Sequence, residues 1–197
     1  MPRVPSLPPS ALDASRKADF QAATEACDEF FGDVKVAYTD PKDGAFIGPF
    51  APLFASSSKL IDTFLKYAGA LGELPLKPSA RETAILAVGS LYEAEYELDA
   101  HRKIAATTSL SAAQIDAVSH GNKPSGSDAL DEEEEVAFEL AMALAKGRGK
   151  LGDGLWERAV KAIGRESTLA VVHYTGYYTM TCVILNAVGA EYPGGRD

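Results

Sequence analysis

Residues 79–107 read SARETAILAVGSLYEAEYELDAHRKIAAT. Ser79-Ala80-Arg81-Glu82 has the S-x-x-E spacing of a capping box. The run from 84 to 91 is apolar, and the chain then turns acidic at Glu93, Glu95, Glu97 and Asp99 before reaching His101. The spacing predicts helix from Ser79 to about Thr107, with a buried first half.

The flanks repeat the helical pattern. A helix over about 57–71 carries Leu60, Ile61, Phe64, Leu65 and Ala68 on one face. Gly72, Leu74-Pro75 and Lys77-Pro78 stop it. An earlier helix starts at Ser10 or Ser15 and ends near Gly32, with Phe20, Ala23, Cys27 and Phe30 or Phe31 recurring at helical spacing. Residues 33–52 are irregular. Val34 to Tyr38 alternates too briefly to define a sheet, and Asp40-Pro41, Asp43-Gly44 and Gly48-Pro49 are turn signals. Pro2, Pro5, Pro8 and Pro9 make the N-terminus an extended arm, for which a neighbouring subunit is a natural support.

Downstream, Ser111 caps a short helix through Val118, and residues 119–129 form a loop. Residues 131–147 form a helix whose first turn holds Glu132 to Glu135, where the helix dipole favours negative charge. Two more helices follow, over about 155–163 and 166–188. The last is apolar on most of its circumference, which predicts burial in the core or at a subunit interface. No repeat, heptad array or strand–helix alternation is visible. The expected fold class is all-α, one domain over 1–197 with residues 1–14 as an extended arm.

The net charge of −9 opposes a phosphate-rich partner, so nucleic-acid binding is not expected. No stretch approaches the ~20 apolar residues of a membrane span, and the N-terminus lacks a signal peptide's apolar run. A cytoplasmic location is the expectation. Cys27 and Cys182 belong to no C-x-x-C or Cys/His cluster, so neither a zinc site nor a dithiol centre has ligands. Two buried free thiols are the commoner outcome than a disulfide between them.

His101 is one of three histidines, and histidine takes and gives a proton near neutral pH. Glu97 and His101 stand at i,i+4, a spacing that is often an ordinary surface pair. The carboxylate cluster and the buried helix before it weigh against that, so the residues alone leave a surface pair and a desolvated acid–base site both open, the surface pair being the commoner. His173 in the last helix is expected to be a core or interface histidine, and His120 to be solvated in its loop.

Residues 81–88 (RETAILAV) followed by 95–101 (EYELDAH) resemble the carboxymuconolactone decarboxylase family of the alkylhydroperoxidase D-like superfamily. Arg3-Val4-Pro5, Gly48-Pro49-Phe50, Gly176-Tyr177-Tyr178-Thr179-Met180 and Leu185-Asn186-Ala187 agree with the same pattern, over nearly the whole chain. The resemblance implies an all-helical fold assembling as a homotrimer or homohexamer, with sites near subunit contacts. Redox relatives carry C-x-x-C with a histidine four residues beyond, and here those positions are Ala94 and Glu97. A thiol peroxidase of that type needs both thiols, so peroxide reduction by that route is not expected.

The same relatives have a glutamate that lands on Glu82. On one straight helix Glu82 and His101 would be roughly 28 Å apart. Their cooperation therefore requires a break near Tyr92–Ala94. The resemblance implies a cofactor-independent decarboxylase of a small lactone or aromatic-pathway carboxylic acid, with no metal. His101 would donate the proton and Glu82 or Glu97 would set its state. Tyr96 and Tyr178 are candidates for hydrogen bonds to substrate, and Arg81 and Arg102 for holding a substrate carboxylate. An isomerase, dehydratase or cyclase using the same site is an alternative, as is a non-catalytic oligomeric binding protein.

Overall fold

Proline and capping chemistry set the helix boundaries. A computed structural model describes residues 3–32 and 36–190. It contains α1 (Ala14–Phe31), α2 (Phe50–Ser56), α3 (Ser58–Gly72), α4 (Pro78–Tyr92), α5 (Glu95–Ala105), α6 (Ala112–Ser119), α7 (Glu132–Lys146) and α8 (Asp153–Val188). Among the described residues no strand forms. Thr39 and Phe46 make one isolated antiparallel bridge, across the Asp40–Gly44 turn that the sequence signals. Val34 and Lys35 lie outside the described residues. The all-α expectation holds.

Close packing divides the described residues into two units, 3–32 and 36–72 with 184–190, and 73–183. In the first, Asp13 caps α1 by accepting from the Arg16 amide at 2.9 Å. Its core joins Phe20, Ala23 and Cys27 of α1 to Phe46, Phe50, Phe54, Ile61 and Leu65. Phe20 meets Phe46 at 4.3 Å and Phe54 edge-on at 5.4 Å. Part of the arm lies on its own chain. Arg3 donates its amide to the Val188 carbonyl at 2.6 Å and its Nη1 to the Ala187 carbonyl at 2.7 Å, and Ser6 Oγ bonds the Phe46 carbonyl.

The second unit is organised around α4, which packs against α5, α6 and α7. All but one of residues 79–89 are buried, as expected of a helix apolar on nearly every side. The predicted capping box at Ser79 does not form. The helix starts one residue earlier, with Lys77 at the cap and Pro78 in the first turn, and Glu82 is engaged elsewhere. Capping boxes do form at Ser111 with Gln114 and at Asp131 with Glu134.

α8 is interrupted at Gly164, whose φ of 81° and ψ of 161° separate the two helices expected from the sequence. Its later part is not buried all round. Leu169, Met180 and Val183 are 42%, 45% and 51% exposed, and His173 is exposed as well, which removes it from the core of its own chain. No helix among the described residues is long and apolar enough to cross a membrane.

Candidate acid–base site

The break required between Glu82 and His101 lies within the predicted window. α4 ends at Tyr92, and Glu93 adopts the left-handed conformation (φ 50°, ψ 39°), with its amide donating back to the Ser90 carbonyl at 3.4 Å. α5 then starts at Glu95. The two helices approach so closely that a Cβ on Gly89 would stand 2.9 Å from Leu98 Cδ2. A side chain at position 89 would have to displace the end of Leu98, so the constraint there is contact rather than backbone angle.

This hairpin brings Glu82 of α4 against His101 of α5. Glu82 Oε2 lies 2.6 Å from His101 Nδ1. Glu97, one turn before His101 on the same face, places Oε1 3.0 Å from Nε2. That oxygen has no aligned hydrogen bond despite the short distance, so Glu97 acts on Nε2 mainly through charge. The second carboxylate oxygen of the α4 residue is also used: Arg81 Nε donates to Glu82 Oε1 at 3.1 Å. Tyr178 of α8 packs edge-on against the imidazole, with ring centroids 4.9 Å apart. Glu82, Glu97 and His101 are 1%, 4% and 8% exposed.

Burial alone would push the His101 pKa down from its ordinary 6.5, but the adjacent Glu82 and Glu97 carboxylates outweigh it and raise the value to about 10. The ring is therefore an imidazolium at neutral pH, donating Nδ1–H to Glu82. Two carboxylates, one imidazolium and the Arg81 guanidinium then cancel in net charge, which is what makes their burial tolerable. Burial, reinforced by Glu97 and Glu82, pushes the Tyr178 phenol up, so it is a neutral O–H.

The other candidates are placed differently. Tyr96 is buried on α5, but stands ~100° around the helix from Glu97. Arg102 faces Asp99 at 3.5 Å, both part-exposed, on the α5 surface. Arg81 is committed to Glu82 and also to the Tyr174 hydroxyl. Tyr174 was not singled out by the sequence, although it sits one turn before Tyr178 and so shares its face. His120 is exposed beside Asp116, as expected for a loop residue.

Cys27 and Cys182 are free and buried. Burial, with help from Asp28, pushes the Cys27 thiol up to about 12. Burial, with help from Glu97, pushes Cys182 up too. Neither has thiolate character at neutral pH. Among the described residues no cluster of His, Cys, Asp and Glu is arranged to hold a metal. Glu82 and Glu97 flank opposite nitrogens of one ring instead of converging on a common point.

No family model matches the chain, and no curated protein matches it. Solved structures do. An uncharacterized peroxidase-related protein from Silicibacter sp. TM1040 is 19% identical with a TM-score of 0.70, over 98% of this chain and 95% of that one. A second, from Ralstonia eutropha JMP134, described as an alkylhydroperoxidase AhpD core, is 18% identical with a TM-score of 0.70, over 96% and 91%. The chain has the AhpD-like fold. A third structure of this shape is the debrominase Bmp8, as a cysteine-to-alanine variant bound to 2,3,4-tribromopyrrole. It is 12% identical with a TM-score of 0.65, over 91% and 88%. In the chain described here the AhpD-like fold presents a carboxylate–imidazole–carboxylate cluster.

Proposed function

We propose that the chain is a cofactor-independent acid–base enzyme, and specifically a carboxy-lyase acting on a small lactone or aromatic-pathway carboxylic acid. The observation that carries this reading is the buried imidazolium of His101, clamped at Nδ1 by Glu82 while its Nε2 proton faces Glu97 without an aligned bond. The 2.6 Å contact at Nδ1 fixes the ring, which leaves Nε2–H, 3.0 Å from Glu97, as the proton to be given to substrate.

Decarboxylation needs such a donor. The substrate carboxylate leaves as carbon dioxide, and its carbon–carbon bonding pair moves into the adjoining carbonyl to form an enolate. The enolate carbon then takes the Nε2 proton, and solvent returns a proton to His101. A positioned donor of this kind typically contributes about 10²–10⁴-fold. The neutral Tyr178 hydroxyl is the candidate donor to the enolate oxygen. Glu82 and Glu97 keep the imidazole charged until the carbanion forms.

The test is carbon dioxide release from a panel of small lactone acids and aromatic-pathway carboxylic acids, with mass analysis of products. The wild-type chain should release carbon dioxide from at least one of them, and His101→Gln should lower the rate by about 10²-fold or more. A product of unchanged mass would sink the carboxy-lyase reading and favour an isomerase at the same site. Turnover indifferent to His101→Gln would sink the acid–base assignment itself.

A further inference from the structure

The Glu82–His101 contact does not stand by itself. Glu82 has two oxygens with two different partners, Oε2 on His101 and Oε1 on Arg81. How much negative charge reaches the imidazole therefore depends on how closely the guanidinium is kept on Oε1. A side chain that fixes Arg81 also tunes His101 without touching it.

Tyr174 of α8 is the side chain so placed. It is buried, its hydroxyl is hydrogen-bonded to Arg81, and its ring stacks on Tyr178 at 6.3 Å with an 13° interplanar angle. Tyr178 in turn packs against His101. The two tyrosines are one helical turn apart, so one face of α8 grips both ends of the α4–α5 cluster.

We infer that Tyr174 is a positioning residue, which acts on His101 through Arg81 at one end and Tyr178 at the other. This rests on the acid–base reading above. Its function is to keep a cation on the far side of Glu82, so that the imidazolium is stabilised enough to stay charged yet still gives up its proton. The charged and titratable groups around the ring are Glu82 and, behind it, Arg81 from α4, Glu97 from α5, and Tyr174, Tyr178 and Cys182 from α8.

Tyr174→Phe removes the hydroxyl and keeps the ring. With Arg81 loosened, Glu82 is less neutralised, and His101 should titrate higher by about half a unit or more, read by NMR of the ring nitrogens. In an Arg81→Gln background the same substitution should add no shift, because the path through Arg81 is already cut. Arg81→Met, which also removes the cation, serves as the background if Arg81→Gln does not fold. No shift in the wild-type background, a downward shift, or an equal shift in both backgrounds would each overturn the inference. The readout needs no turnover, so loss of the carboxy-lyase reading and loss of this one are separate outcomes.

Discussion

Glu82→Gln isolates the interaction on which the site depends. The amide keeps the size of the carboxylate and can still accept from Nδ1, so what is lost is charge. With 2.6 Å between Oε2 and Nδ1, the charge centres are roughly 4 Å apart, and at an effective dielectric of ~20 the attraction is about 4 kcal/mol. That corresponds to roughly three pK units. His101, raised to about 10 in the intact protein, should then titrate roughly three units lower, near neutrality. Arg81 loses its partner in the same variant, and its uncompensated cation pushes in the same direction. The assay is NMR titration of ring nitrogens in histidine-labelled protein, where only His101, His120 and His173 need assigning. A His101 that still titrates within a unit of the intact protein would refute the reasoning, because it would mean that Glu82 is not the main source of the raised value.

Other expectations follow from the same geometry. His101 has a folded value above its ordinary 6.5, so its stabilising contribution is complete below about pH 6.5 and disappears as pH rises through about 10. The unfolding free energy from denaturant melts should fall across that window by a few kcal/mol, and His101→Gln should flatten the decline; an equally steep decline in the variant would count against the assignment. Gly89→Ala should destabilise by about 1–3 kcal/mol, because the new methyl meets Leu98, and Leu98→Ala in the same chain should recover part of the loss; additive losses would show that the close approach is not the cause. Glu93→Gly should stabilise by up to about 1 kcal/mol in urea melts, since glycine adopts the left-handed conformation without the Cβ penalty. A destabilised variant would mean that the Glu93 side chain matters more than its backbone. Replacing Cys182 by Ala should leave acid–base turnover within a few-fold of wild type, whereas a thiol mechanism would lose it.

The sequence is most informative where a rule of helix geometry is strict. The rise per residue forbids Glu82 and His101 from meeting on one helix, and Glu93 duly leaves helical conformation between them. Ser111 and Asp131 announce their helices because each has its Gln or Glu partner three residues on and nothing else competes for it. Ser79 misleads for the opposite reason. Glu82 has the right spacing, but a buried imidazole and a guanidinium hold its oxygens.

α2 is hidden by its prolines. Pro49 and Pro52 read as breakers, yet they fall at the cap and first turn, where amide groups have no intrahelical partner. Phe50, Leu53 and Phe54 then supply the apolar face. Tyr174 and the exposed stripe at Leu169, Met180 and Val183 were equally unreadable, because an all-apolar helix carries no mark of which side faces the core.

The hairpin has a consequence for assembly of the site. Glu82 and His101 are 19 residues apart in sequence, and joining them closes only a short loop, for which the entropy cost is small. Contacts this local form early in folding, ahead of those that recruit distant segments. Tyr174 and Tyr178 come from far along the chain, so their docking closes a much longer loop. The Glu82–His101 couple is thus a portable cassette. A circular permutation that cuts the backbone in the 119–129 loop leaves it intact, while one that cuts at Glu93 separates its halves.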